Sequence, residues 1–257
     1  MIALTQTERP PYTTFVAIAI GLAWALWPGG VLAQSMSINL GDGGGSMTGR
    51  MLQLLALLTV LSLAPSILIM VTCYTRIIIV LSFLRTAMGI QQVPPNTVLI
   101  SLALFLTFFV MEPVFDRCYT DGIKPLIAEE IDEVEAFKRM AKPLHDFMIR
   151  QTSDRDLQLF MELSRTPPVT DHNALPLQVV IPAFMISEIK RAFEIGFLLF
   201  LPFLIIDMVV SSILMAMGMV MLPPTMVALP FKIIFFVIVD GWYLVAGSLA
   251  KSFGTFD

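Results

Sequence analysis

The chain has 257 residues, 56% of them hydrophobic and only 14% charged, and its mean hydropathy is +0.81. A soluble domain carries about a quarter charged residues, so this composition belongs with membrane proteins. The formal net charge of −4 and the pI of about 5.2 leave no basic stripe, which argues against a nucleic-acid partner.

The N-terminus reads as a secretory signal peptide over residues 1–33. Phe15 to Trp27 is a short apolar run, and Val31-Leu32-Ala33 places small residues where a signal peptidase cuts. Cleavage is expected between Ala33 and Gln34, which implies export to the periplasm of a double-membraned bacterium. The n-region holds only Arg9, offset by Glu8, so an uncleaved anchor is the alternative. Residues 34–50, with Gly41-Asp42-Gly43-Gly44-Gly45-Ser46, read as a flexible linker. No strand precedes that cluster and no Lys follows where a phosphate loop needs one.

Residues 51–115 read as a first apolar helical hairpin. Met51 to Leu84 exceeds the roughly 20 residues of one crossing, and a kink is expected at Pro65. Val98 to Phe115 forms the return arm. Between them Gln91-Gln92-Val93-Pro94-Pro95-Asn96 reads as a tip, since the residue before proline leaves the helical region and proline suits the first turn of a new helix.

Residues 116–178 read as a charged helical domain. Asp116 to Asp171 holds 20 of the chain's 36 charged side chains, 12 acidic and 8 basic, which is the whole net charge. Each such charge costs about 2.5–3.5 kcal/mol in hydrocarbon, so the block belongs in water. Amphipathic helices are expected over Lys124–Met140, through Ile127, Ile131, Val134 and Phe137, and over Asp146–Ser164. Pro167-Pro168 closes the block.

Residues 179–257 read as a second apolar hairpin. Its first arm is interrupted by Glu188, Lys190, Arg191 and Glu194, its tip is Leu222-Pro223-Pro224-Thr225, and its return arm is Val227 to Ala250. The layout echoes the first hairpin. Charge does not settle orientation: with the mature N-terminus outside, Arg76 and Arg85 obey the positive-inside rule while Lys190 and Arg191 break it.

Polar residues within apolar helices face a bundle interior, a partner or water. Here these are Glu188, Asp207, Lys232 and Asp240, read as intramembrane or inter-subunit contacts. Asp207 and Asp240 are equally far in sequence from Pro223-Pro224, so a regular hairpin would set two carboxylates at one depth, where a cation is expected between them. Lys232 is too close to that tip to be level with either, which points its partner to another subunit. Met215, Met217, Gly218, Met219 and Met221 alternate before the tip. Gly218 favours departure from helix, and flexible methionine suits an adaptable seal. Ordinary apolar filler is the plainer reading.

No catalytic constellation is present. His145 and His172 lack metal-ligand spacing and read as surface residues, so neither metal nor cofactor is expected. Cys73 and Cys118 read as unpaired structural thiols, with pairing of Cys118 between subunits the alternative.

Three runs carry a resemblance. They are Arg76 through Phe109 with its Gln91-Gln92 and Pro94-Pro95, Ile181 through Gly196 with Glu188, and Met215 through Trp242 with Lys232 and Asp240. Together they resemble the FliP family of the flagellar type III export apparatus, over about Met51 to Phe253. The resemblance implies an all-α, membrane-associated subunit with no enzymatic activity. It implies a pentameric ring that joins FliQ-like, FliR-like and FlhA/FlhB-like proteins and passes unfolded flagellar substrates across the inner membrane, with a periplasmic domain, in the flagellar basal body. It implies that Met215 to Met221 are the gasket of the pore, with Val220 thinning one layer, and that the charged domain is the subunit contact. A virulence injectisome subunit shares the Gln-Gln and Pro-Pro signatures, and a proton-coupled small-solute transporter using Asp207 and Asp240 is the rival of a different class.

Overall fold

The computed structural model describes residues 47–90, 92–165, 174–219 and 221–254. The signal peptide with its Ala33/Gln34 cleavage, most of the linker, and Gln91, His172 and Val220 lie outside the described residues. The chain divides into two compact units, Met1–Ala56 and Leu57–Asp257. In the first, the described residues open a helix.

The fold is all-α, with no strand among the described residues. Its helices are α1 (Met47–Val71), α2 (Tyr74–Ala87), α3 (Asn96–Cys118), α4 (Lys124–Ile127), α5 (Glu133–Gln151), α6 (Asp154–Leu163), α7 (Leu177–Ala216), α8 (Pro224–Ile238) and α9 (Gly241–Lys251), with a π-helical turn at Tyr119–Ile123. Helix α1 runs through Pro65 and ends at Val71, before a break at Thr72–Cys73. Its leucines, such as Leu55, Leu58 and Leu61, stand exposed, as an all-round apolar helix requires of a surface meant for lipid or for another subunit.

Helix α7 is the spine. It is a single helix of 40 residues, continuous through the charges around Glu188 that interrupt its apolar sequence. At about 1.5 Å per residue it is about 60 Å long, twice the thickness of a bilayer's hydrocarbon core. These charges are accommodated because Glu188 is neutralised inside the fold while Lys190, Arg191 and Glu194 are exposed. Helix α2 packs along α7, α5 and α6 pack on its N-terminal part, and α8 returns beside its C-terminal part. The α2–α7 contact is close at Gly196, where a Cβ would lie 2.6 Å from Cδ2 of Phe83. The principal core includes Ile77, Leu81 and Leu84 of α2, Val110 and Met111 of α3, Phe147 of α5 and Phe184 of α7.

The charged segment folds with different boundaries from those expected. Glu129 is left-handed (φ 56°), and Asp132 caps a new helix by accepting from the Glu135 amide at 3.0 Å, so α5 starts at Glu133 and continues to Gln151. The buried residues of α5 are Ala136, Pro143, Phe147 and Met148. Of the expected stripe, Ile127, Val134 and Phe137 are exposed and Ile131 is half-buried.

The two tips share a construction. Helix α2 ends at Gly89 (φ 77°) and α7 at Gly218 (φ 75°), and each glycine stands five residues before the first proline of a Pro-Pro pair that opens the next helix. At the second tip the Gly218 amide donates to Met215 O at 3.1 Å and the Met219 amide to Leu214 O at 3.0 Å, a Schellman stop that only a residue tolerant of positive φ adopts cheaply. The final arm is not the single helix expected. Asp240 is left-handed (φ 51°), and α8 and α9 meet there at 63°.

By length and composition alone, the stretches 54–71, 96–127 and 177–216 can each cross a membrane, and the bent α8–α9 pair can form a fourth span.

Candidate functional site

Three groups of residues carry what chemistry the chain has. The first is a buried hub at Arg76 and Glu188, both with 0% of the side chain exposed. The guanidinium donates through Nε to Glu188 Oε2 at 2.9 Å and through Nη2 to Oε1. Its remaining donors reach Gln151 Oε1 at 3.2 Å, Ser252 O at 3.3 Å and Ser252 Oγ at 3.1 Å. Phe253 stacks 3.8 Å below the guanidinium carbon, and Gln151 Nε2 donates to Phe253 O at 3.0 Å. The planar, five-donor fork of arginine suits such a junction and lysine would not. The hub joins α2, the end of α5, the middle of α7 and the turn after α9.

Arg76 is therefore no loop charge, which removes it from the positive-inside count. Of the two contacts expected of Glu188, within the apolar helices or between subunits, the structure describes one inside its own chain. Sequence reasoning did not single out Arg76, Gln151, Ser252 or Phe253. The one legible signal was an arginine in the run Tyr74–Leu84, matched by a glutamate in another apolar helix.

The second group is Asp207 with Lys232. Lys232 Nζ donates to Asp207 Oδ2 at 2.6 Å and to Ala87 O at 3.1 Å. The expectation that Lys232 lies out of level with Asp207 and pairs with another subunit is thus corrected. The apex of the hairpin is the loop after Gly218, not the Pro-Pro pair, which already belongs to the return arm. Asp207 lies nine residues before the end of α7 and Lys232 eight after the start of α8, so they meet at one depth. The cation expected beside Asp207 is Lys232. The reading of Asp240 as level with Asp207 fails with the same geometry, since Asp240 sits exposed at the α8–α9 bend.

The third group is the methionine tip. Met215 lies in the last turn of α7, and Met217 and Met219 line an apolar groove with Ile213, Leu214, Leu222 and Phe231. Met221 is 98% exposed, beyond the hairpin's own packing. At the first tip, Arg85 Nη1 donates to Asn96 Oδ1 at 2.5 Å and Pro94 O at 3.4 Å, which ties α2 to the start of α3; Gln92 and Pro95 are exposed.

The described histidine, His145, is half-buried rather than a surface residue, with Nε2 2.8 Å from Leu175 O. Both cysteines are free. Cys73 lies between α1 and α2, outside the stretches long enough to cross, and its burial pushes the thiol up to about 12. At pH 8 about one such thiol in ten thousand is ionised, and the thiolate is the reactive form. Maleimide at pH 8 should therefore label Cys118 in the folded protein and Cys73 only after unfolding in detergent. Equal labelling of both without denaturant would refute the buried placement of Cys73.

The fold and these groups define an all-α, membrane-associated protein in which Arg76 with Glu188 and Lys232 with Asp207 pair within the helix packing. The FliP family profile matches residues 57–249. The chain is 57% identical over 239 residues to "Flagellar biosynthetic protein FliP" of Caulobacter vibrioides, covering 93% of this chain and 90% of that protein. It is 54% identical over 201 residues to the protein of the same name in Bacillus subtilis (78% and 91%), and 48% identical over 257 residues to that of Pectobacterium carotovorum subsp. carotovorum (98% and 95%). The chain belongs to the FliP family.

Proposed function

We propose that this chain is a pore-forming subunit of the flagellar type III export gate, passing unfolded flagellar proteins across the bacterial inner membrane. Several copies surround one channel, in a pentameric ring joined by FliQ-like and FliR-like subunits and served by FlhA- and FlhB-like proteins, with the charged helices α4–α6 on the periplasmic side. The observation that carries this reading is the second tip. A Gly-stopped helix and a Pro-Pro restart leave Met221 almost fully exposed at the hairpin tip, with Met215, Met217 and Met219 near it in the chain. Arranged around an axis, such tips form a flexible apolar constriction that yields to a passing chain and stays dry to ions. The exposed Ile127, Val134 and Phe137 support subunit contact through the charged segment, since such surface on an aqueous face favours a partner. The flagellar names of the relatives favour the flagellar over the injectisome reading.

Replacing Met217, Met219 and Met221 together with alanine should raise small-ion leak severalfold while the subunit still assembles, read as membrane conductance alongside secretion of flagellar substrate. Normal conductance together with normal secretion would sink the gasket. The transporter reading loses support because Asp207 is paired with Lys232 and Asp240 is distant from both in the packing.

A further inference from the structure

The second tip holds the chain's densest set of accessible thioethers. Five of its 17 methionines lie between Met215 and Met226, and all five are exposed, so a reagent in water meets them together. Met88, Met111, Met148 and Met161 are buried in the helix packing, where such a reagent does not reach. Met208 is exposed as well, but it stands on 177–216, a stretch apolar enough to cross a membrane, so lipid or another subunit covers that flank. Met217, Met219 and Met221 lie after the end of α7 and before the start of α8, outside every such stretch among the described residues.

A thioether is apolar and accepts hydrogen bonds only weakly, whereas its sulfoxide is polar. Met217 and Met219 line an open groove of about 610 Å³ whose walls include Ile213, Leu214, Leu222 and Phe231. Every side chain lining it is apolar, so none of them donates to a sulfoxide oxygen. A polar group left without a donor among apolar groups is unfavourable, and water satisfies it better. An oxidised Met217 or Met219 therefore turns out of the groove and draws water to the tip. At Met221, which already stands clear of the hairpin's packing, the new oxygen is hydrated where it forms.

We propose that this tip is a site of reversible methionine oxidation, Met221 first, and that its sulfoxides wet the constriction and let small ions through. The oxidant is a hypohalous acid. A lone pair of the thioether sulfur attacks the oxygen of hypochlorous acid. The S–O bond forms, the O–Cl bond breaks, chloride leaves with the bonding pair and the hydroxyl proton passes to water. Sulfur is oxidised and chlorine reduced, one electron pair passing between them. Methionine sulfoxide reductases reverse the step: two thiols become a disulfide, and the sulfoxide oxygen leaves as water. The proposal rests on the reading of this tip as the gasket and adds a chemical control to it.

The test uses the full chain purified with the subunits it assembles with and returned to liposomes. Small-ion leak is measured before and after limiting hypochlorous acid, and sulfoxides are mapped by peptide mass spectrometry. Met221 is expected to carry severalfold more sulfoxide than Met208, Met111 or Met148, and the leak to rise severalfold. The methionine sulfoxide reductases with dithiothreitol should return the leak to its starting value, and dithiothreitol alone should not. Met221→Leu should reduce the rise, and Met217→Leu, Met219→Leu and Met221→Leu together should abolish it, each read against its own untreated leak. The proposal is overturned if the tip oxidises with no change in leak, if Met208 oxidises as heavily as Met221, or if the leak rises as much in the triple leucine variant. Reversal by dithiothreitol alone also overturns it, since that places the effect on a thiol such as Cys118. Leak from the Met217, Met219 and Met221 alanine variant without leak from the oxidised protein refutes the oxidation site and spares the gasket. An alanine variant that stays tight removes the gasket, and this proposal with it.

Discussion

Glu188→Ala is expected to destabilise the folded chain by about 3–5 kcal/mol, the scale of stranding one member of a fully buried ion pair. Arg76 would then keep its charge in the core with one carboxylate fewer, and its hydrogen bonds to Gln151 and Ser252 do not neutralise it. Arg76→Ala should cost as much, because Glu188 has no other cation within hydrogen-bond reach among the described residues and because the Phe253 stack is lost as well. Both variants should appear as low abundance in the membrane fraction and as earlier melting in detergent. Replacing both residues with apolar ones of similar volume, Arg76→Met with Glu188→Leu, should recover most of the loss, since a buried pair as a unit is often neutral against well-packed hydrophobic residues. Phe253→Ala should cost a similar amount, about 3–5 kcal/mol, because it deletes a buried core ring packed on Phe147 as well as the stack on the guanidinium. Single charge removals that leave melting unchanged would mean that the hub does not hold these four elements together.

The second large effect is at Asp207 and Lys232. Lys232→Met leaves the Asp207 carboxylate without its cation, and Asp207→Asn leaves a buried ammonium facing a neutral amide. Each single change should lower thermal resistance, and the pair should be strongly non-additive, with a coupling on the order of 1–3 kcal/mol in a double-mutant cycle. Asp207 is a quarter exposed, which moderates the cost relative to the hub. The same cycle separates two functions. In a structural pair the double variant regains both assembly and secretion together. In a proton-coupled transporter it would regain assembly and stay inactive. Additive losses would mean that the 2.6 Å contact carries no energy in the assembled protein.

Much of the fold was legible because it rests on local signals. Proline cannot continue a helix and suits the first turn of the next, so Pro94-Pro95 and Pro223-Pro224 mark the restarts after the two tips wherever the chain folds. A charged segment between apolar runs is excluded from hydrocarbon by solvation alone, so the division of the chain into greasy arms and one charged block follows from composition. The alternation of methionines around Gly218 predicted a departure from helix, and the Schellman stop at that glycine is its structural form.

What only the tertiary structure decided depends on which surfaces meet. Spacing along the chain put Asp207 level with Asp240, because sequence counting takes the prolines as the apex. The folded hairpin turns after Gly218, and Lys232 rises to meet Asp207. Charges around Glu188 interrupt the apolar run, since an isolated charge there is costly. Arg76, more than a hundred residues away, removes that cost inside the fold. The face of α5 that is buried was also misassigned, because the helical period groups residues into faces but only the neighbouring helices decide which face is covered. Amino-acid order thus determined the solvent each segment prefers and where helices must stop. Pairing between distant charges determined depth and register, because an ion pair's worth is set by geometry that no single segment contains.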